Sequence, residues 1–247
     1  MSKRGDMVDT CLILGASGDI GLAISRALIA SGFRCFLSHS RKRQFSQPLD
    51  KELPGVEWRA IDLTDHDSVR DLVNEVALMS NNQFNLIYCA GVLHDQPLWS
   101  LSPEHWREVM AVNLDGAFYA IRNAYQSLAV GGMGRIVLVG SVSGQRGYPG
   151  QAAYSASKAG LEALCRVAAV ELGRFGVCCN VIAPGALESG MVRNVTPSVI
   201  KSLLSRTPTR KLGTVDHVAH AVLFLLSPMA SHINGQTLVI DGGLSIT

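Results

Sequence analysis

Ser141, Tyr154 and Lys158 fall within one short stretch, SVSGQRGYPGQAAYSASK, and their side chains are suited to moving a proton on and off a substrate oxygen. Positions i and i+4 of a helix share a face one turn apart, so Tyr154 and Lys158 are expected to project side by side. A phenol near its ordinary pKa of about 10 is a poor acid or base at neutral pH, and a neighbouring ammonium should bring it down. Ser141, closing an apolar run, is placed to hydrogen-bond the same oxygen. The trio suits a reaction that makes or consumes an alkoxide, such as ketone reduction. A tyrosine and a lysine at this spacing are also what a core aromatic beside a solvated charge looks like. The rest of the chain must decide between the two.

The elements that would position these residues alternate in type. Thr10 to Leu14 is a short apolar run suited to a buried parallel strand, and GASGDIG, Gly15 to Gly21, follows it. Apolar residues at Ile20, Ala23, Ile24, Ala27 and Leu28 then give a helical period that stops at Gly32, and Phe33 to Ser38 reads as a second strand. This strand, glycine turn, helix, strand unit can receive a pyrophosphate on the backbone N–H groups at the helix start. Units of this kind that bind NAD commonly carry an acidic residue after the second strand, for the ribose 2′-hydroxyl. Here the sequence is Ser38-His39-Ser40-Arg41-Lys42-Arg43, which favours a 2′-phosphate and therefore NADPH (NADP+).

Further strands are expected at Val56–Asp62, Leu86–Cys89, Gly134–Gly140, Val177–Ala183 and Thr237–Ile240. Helices are expected at Ser68–Met79, in one long stretch from about Ser102 to Leu128, at Ala153–Phe175 and at about Val215–Leu226. Ser102-Pro103-Glu104 is a helix start signal. The prediction is an α/β fold in a single domain: a doubly wound parallel sheet of about seven strands with helices on both faces. Strand ends place Asp62-Leu63 to face an adenine edge, Ala90-Gly91 where a bare backbone can approach the cofactor, and Ser141 beside the substrate oxygen; Pro184-Gly185 follows the sixth strand. Asn113, in VNLDG, lies inside the long helical stretch.

Composition narrows the function classes. The chain has 247 residues, enough for one large α/β domain, and a formal net charge of +2, too small to argue for nucleic acid. The six cysteines (Cys11, Cys35, Cys89, Cys165, Cys178, Cys179) show no C-x-x-C or zinc spacing and read as small buried hydrophobes in a reducing compartment. The histidines form no H-E-x-x-H, which leaves a metal site without support. No apolar export segment and no membrane-length run is present, so a cytoplasmic protein is expected.

Taken in order, the glycine turn, Ala90-Gly91, Asn113, Ser141, Tyr154-x-x-x-Lys158, Pro184-Gly185 and Asp241-Gly242-Gly243 make the whole chain resemble the short-chain dehydrogenase/reductases. It is most similar to the 3-oxoacyl-(acyl-carrier-protein) reductases. The resemblance implies one domain over residues 1–247, with the dinucleotide-binding part at about 8–140 and the catalytic helix and substrate lid at about 141–213. It implies that Tyr154 is the general acid, that Lys158 lowers the Tyr154 pKa and holds the nicotinamide ribose, and that Ser141 orients the carbonyl. Asn113 would anchor a water linking Lys158 to a proton relay. The cofactor set carried over is Gly15, Ser17, Gly18, Asp19, Ile20, Gly21, Ser40, Arg41, Asp62, Leu63, Ala90, Gly91, Tyr154, Lys158, Pro184, Gly185, Leu187 and Ser189. A homotetramer is implied, with the apolar Leu161, Leu164, Val167 and Val170 of the Tyr154 helix either in the interface or in the subunit core.

Three residues or motifs depart from the family pattern. The glycine turn runs G-x-x-G-x-x-G, with Asp19 where a glycine is usual, which sets a carboxylate near an approaching pyrophosphate. Gly18 stands where an arginine often meets the 2′-phosphate, leaving Arg41 and Lys42 to select NADPH. Tyr88-Cys89-Ala90-Gly91 replaces Asn-Asn-Ala-Gly. Between Leu187 and Gly213 the charged residues are Glu188, Arg193, Lys201, Arg206, Arg210 and Lys211, a basic lid suited to acyl carrier protein or to the phosphates of coenzyme A. The segment Val130 to Arg135 lacks the basic cluster such reductases often show, and Arg166 and Arg174 are candidates to replace it. Two other activities fit the sequence: reduction of a free ketone or oxidation of an alcohol, and a non-catalytic nucleotide-binding subunit.

Overall fold

The computed structural model describes residues 8–41, 53, 56–189 and 196–247. Its strands are β1 (Thr10–Leu14), β2 (Arg34–Ser40), β3 (Trp58–Ile61), β4 (Asn85–Tyr88), β5 (Arg135–Val139), β6 (Cys178–Pro184) and β7 (Thr237–Ile240). All pair in parallel in one sheet, in the order β3-β2-β1-β4-β5-β6-β7. Parallel strands require crossovers, and among the described residues helices supply them on both faces. The helices are α1 (Asp19–Ala30), α2 (His66–Met79), α3 (Pro103–Met110), α4 (Gly116–Gly131), α5 (Ala152–Gly173), α6 (Pro197–Arg206) and α7 (Val215–Leu226). The expected fold class is the observed one.

Because both faces of the sheet are covered, successive strand residues enter different cores. Leu12, Leu14, Leu86, Tyr88, Ile136 and Leu138 pack with α2, α4 and α5. Cys11, Ile13, Ile87, Val137 and Val139 pack on the other side with α1 and α7. An unbroken apolar run is thus two interleaved sets of period two. The cysteines follow the same rule: all six are free thiols, four of them buried.

Local chemistry sets the helix starts. Asp65 caps α2 by accepting from the Asp67 N–H at 3.0 Å, and Ser102 caps α3 by accepting from the His105 N–H at 3.2 Å, with Pro103 in the first turn. The expected single helix from Ser102 to Leu128 is interrupted. Residues Ala111–Asp115 form a π-turn between α3 and α4, in which the Gly116 N–H donates to the Ala111 carbonyl five residues back. The reason lies at Asn113, whose side chain is drawn to the backbone of the β4 end, as described below.

Close approach of α1 to the end of β1 depends on two glycines. Gly15 has φ +85°, and a Cβ there would stand 2.5 Å from the Ala90 nitrogen; a Cβ at Gly21 would stand 2.5 Å from the Gly15 carbonyl oxygen. Gly18 is different, since the nearest atom to a Cβ there would be 3.8 Å away. No helix among the described residues is long and apolar enough to cross a membrane. In urea unfolding, Gly21→Ala is expected to cost about 2 kcal/mol or more, and Gly18→Ala no more than about 1 kcal/mol. Equal losses would show that the packing at Gly21 relaxes.

Candidate active site

The carboxyl ends of the strands share one edge of the sheet, and the strand order reverses between β1 and β4, where a parallel sheet opens a crevice. The glycine turn, Asp62-Leu63, Ala90-Gly91, Ser141 and Pro184-Gly185 all lie on this edge. At Gly15 the N–H donates to Ser38 Oγ at 3.1 Å, and the turn closes with the Gly18 N–H on the Gly15 carbonyl at 3.3 Å. Gly18 precedes α1 with no side-chain cap, so the first turn presents its N–H groups beside the buried Ser17, with Asp19 and Ile20 next in line. Side chains at Gly15 and Gly21 would strike the backbone of Ala90 and of Gly15 and Ala16, so the turn is held close against the end of β4.

Ser40 and Arg41 sit at the exposed end of β2. The Arg41 guanidinium is held at this edge by Nε, which donates to the Ala60 carbonyl at 3.0 Å. Lys42 and Arg43 lie outside the described residues. Asp62 closes a small turn, its Oδ1 accepting from the Thr64 N–H at 3.0 Å and the Thr64 hydroxyl at 2.6 Å, with the half-buried Leu63 packed against the core. On the far side the Gly185 N–H bonds the Ile240 carbonyl at 2.9 Å, and Leu187 and Ser189 are buried just beyond it.

Ser141, Tyr154, Lys158 and Asn113 converge between β4, β5 and α5. Ser141 lies close enough to Tyr154 to favour its phenolate, and Ser141 Oγ accepts from the Ser143 N–H at 3.1 Å, which fixes its position. Lys158 is buried, its Nζ donating to the Val139 carbonyl at 2.8 Å and standing 5.5 Å from the centre of the Tyr154 ring. Asn113 is fully buried and clamps Val92 twice: Oδ1 accepts from its N–H at 2.8 Å, and Nδ2 donates to its carbonyl at 3.0 Å. The same Nδ2 reaches Ser157 Oγ at 3.1 Å, and Ser157 donates to the Tyr154 carbonyl at 2.7 Å. A Cβ on Gly91 would lie 3.5 Å from Lys158 Nζ and 3.6 Å from Asn113 Oδ1, so the bare backbone of Gly91 borders both.

The electrostatics correct one sequence expectation. Tyr154 is not brought down by Lys158; burial pushes its phenol above the ordinary value, opposed by the Ser141 hydrogen bond, with the Asp95 carboxylate adding to the rise. The buried ammonium is itself the destabilised partner. Desolvation lowers Lys158 from 10.5 to about 8. Its hydrogen bond goes to a strand carbonyl, and the Tyr154 ring lies beside it. The pair is thus an acid held protonated at neutral pH beside a base poised near it.

Several contributors carry no sequence signature of their own. The Val139 carbonyl, Val92, Ser143 and Ser157 act through backbone or local bonds. Gln151 joins the site by accepting from Ser143 Oγ at 2.9 Å, while the Gln96 N–H on the Gly150 carbonyl at 2.9 Å ties the β4 loop to the stretch before α5. Two cavities, of about 270 Å³ beside Asn81 and Asn82 and about 310 Å³ beside Phe33 and Arg34, lie at the opposite edge of the sheet, away from this chemistry. Of the basic residues expected in a substrate lid, Lys201, Arg206, Arg210 and Lys211 are exposed, and α6 buries none of its residues; Arg193 is outside the described residues. Arg166 pairs with Glu162 at 3.9 Å and Arg174 stacks on Phe175 at 4.7 Å, so both are already engaged on α5 and its end.

Residues 15–245 match a family model described as Enoyl-(Acyl carrier protein) reductase. The chain is 33% identical over 239 residues to the 3-oxoacyl-(acyl-carrier-protein) reductase FabG of Buchnera aphidicola subsp. Schizaphis graminum, covering 96% of this chain and 98% of that one. It is 32% identical to an acetoacetyl-CoA reductase of Acinetobacter sp., over 94% of this chain and 96% of the other. Identity is 35% to the 3-oxoacyl-(acyl-carrier-protein) reductase MabA of Mycobacterium bovis, over 95% and 92%. Among solved structures, "ElxO with NADP Bound" superposes with a TM-score of 0.88 at 24% identity, covering 97% of this chain and 99% of that one.

Lys158 binds its proton more weakly folded, at about 8, than the ordinary 10.5 of an unfolded lysine. Its burial therefore opposes folding fully below about pH 8, and that penalty fades as pH rises towards 10.5. Lys158→Met is expected to be more stable than the parent at pH 7, on the order of 1–3 kcal/mol, with the gap closing at high pH. Denaturant unfolding across that range checks it, and a pH-independent difference would contradict the cause given.

Proposed function

The chain belongs to the short-chain dehydrogenase/reductase family, and from that membership we propose that it reduces the 3-oxo group of an acyl thioester with NADPH, giving the 3-hydroxyacyl form. The acyl group is carried on acyl carrier protein, in fatty-acid or polyketide-like synthesis. The observation that carries this reading is the convergence of Ser141 and Tyr154 beside the buried Lys158 ammonium, whose Nζ stands 5.5 Å from the centre of the Tyr154 ring. Two hydroxyls presented together suit a carbonyl oxygen about to become an alcohol.

In this reading the Gly15, Ser17, Gly18, Asp19, Ile20 and Gly21 turn holds the pyrophosphate, and Ser40 with Arg41 holds the 2′-phosphate. Asp62 and Leu63 border the adenine, Ala90 and Gly91 the ribose, and Pro184, Gly185, Leu187 and Ser189 the nicotinamide end. When bound, NADPH supplies the hydride that adds to the carbonyl carbon. Ser141 donates to the carbonyl oxygen and orients it. Tyr154 gives that oxygen its proton, so the C=O becomes a C–H and an O–H. Lys158 attracts the phenolate left behind and, with a pKa near 8, exchanges protons readily at neutral pH. Asn113 fixes the backbone that borders the ammonium and, as in the family resemblance, anchors the water that refills the relay.

The exposed basic residues Lys201, Arg206, Arg210 and Lys211 supply the attraction for an acidic carrier. We read the assembly as a homotetramer. On α5, Leu161 is buried and Leu164 packs on the core, so these two fill the subunit; Val167 and Val170, 54% and 81% exposed, remain to be covered with Phe118 of α4. A cytoplasmic location accords with the free thiols.

The test follows NADPH absorbance with 3-oxoacyl and trans-2-enoyl groups offered on acyl carrier protein, on coenzyme A and as a free ketone. Faster turnover of the carrier-bound 3-oxoacyl substrate supports the reading, and equal turnover of the free ketone makes a free-carbonyl reductase the better one. Tyr154→Phe should lower kcat by about 10²-fold or more with NADPH affinity kept. An unchanged biological role in that variant would instead favour a non-catalytic nucleotide-binding subunit. The kcat of reduction is expected to fall as pH rises past about 8, where Lys158 loses its charge.

A further inference from the structure

Tyr88 ends β4 and is among the largest fully buried side chains, in a core otherwise mostly aliphatic. A buried phenolic hydroxyl costs stability unless it has a partner. Its partner is the Val112 carbonyl, inside the π-turn. In α-helical register that carbonyl would accept from the Gly116 N–H, which the π-turn redirects to Ala111. The Tyr88 hydroxyl therefore donates to the carbonyl whose α-register donor, the Gly116 N–H, has moved to Ala111.

Gly116 fits the same arrangement. A Cβ there would collide with the Tyr88 hydroxyl and lie 2.9 Å from the Leu63 carbonyl oxygen. Asn113 is the next residue after Val112, and its contacts with Val92 and Ser157 run on to the Tyr154 backbone. Burial keeps the Tyr88 phenol protonated well beyond its ordinary range, so it remains a donor.

We propose that Tyr88 is a positioning residue: by donating to the Val112 carbonyl it holds the π-turn in register, and so holds Asn113 on Val92 and Ser157. The catalytic consequence rests on the reductase reading above, whereas the structural one does not. Tyr88 has no contact with the reacting atoms and acts through Asn113.

Tyr88→Phe removes the donor and keeps the ring, and Gly116→Ala displaces the donor from the other side. Leu86→Ala, a cavity in the same strand and core, is the control. Amide exchange at Val92 and over residues 111–117 should quicken by about tenfold or more in both test variants and not in the control. In the active enzyme both should lower kcat by about tenfold and move the alkaline limb of its pH profile, with the KM for NADPH within about twofold. Exchange and pH profile like the parent's, or changes matched by Leu86→Ala, would overturn the proposal. If the parent turns over no thioester, the reductase reading fails and the exchange data alone decide the role of Tyr88. Should Tyr88→Phe not fold, Gly116→Ala decides it.

Discussion

The site is organised around a charge taken out of water. The Lys158 ammonium is buried and donates to the carbonyl that ends β5. Burying an ammonium costs several kcal/mol before any compensation, and one neutral carbonyl offsets only part of that. Its neighbours are arranged to let it in. Gly91 leaves its backbone bare beside Nζ, and Gly144 has no Cβ because one would stand 2.8 Å from the Lys158 carbonyl carbon. The ring of Tyr154 covers another side. Stability is given up here for a group that can gain and lose a proton near neutrality.

A second constraint is that β4 and the helical stretch after it must be joined where neither is regular. Asn113 does this through side-chain bonds to Val92, and the helix yields by adopting a π-turn. Tyr88-Cys89, where the family resemblance anticipates two asparagines, keeps the backbone approach of Ala90 and Gly91 and replaces side-chain amides with a buried phenol and thiol. Burial pushes the Cys89 thiol up to about 12, so it is a neutral neighbour of Lys158 and not a thiolate counter-ion. The glycine turn tolerates its unusual spacing because the space at Gly15 and Gly21 is indispensable, while Gly18 has room.

Much of this was legible in the residues. Thr10–Leu14, Thr237–Ile240 and Val215–Leu226 are found at the bounds their patterns predict, since apolar period and cap residues act locally. Ser141, Tyr154, Lys158 and Asn113 come together as their order implied. What could not be read was the sign of the Tyr154 shift, because spacing places a charge near a phenol without saying how dry both become. The π-turn was equally hidden: residues 102–128 have a continuous helical pattern, and the break depends on a loop some twenty positions earlier in the chain. The Arg41 anchor on Ala60 and the engagement of Arg166 and Arg174 also depend on partners that no local pattern names.

The strand order has a consequence for how the protein comes into being. The crevice lies between β1 and β4, paired through Cys11↔Asn85 to Leu14↔Tyr88, so its two walls are made at well-separated times during synthesis. The first strands and α1 can associate early, but their inner edge stays open until β4 has left the ribosome, and Ser141 and Lys158 follow later still. An exposed apolar edge in a parallel sheet invites mispairing, and its closure over so long a loop is slow. The nascent chain therefore passes through a stage in which the glycine turn has been made and Ala90, against which Gly15 must pack, has not.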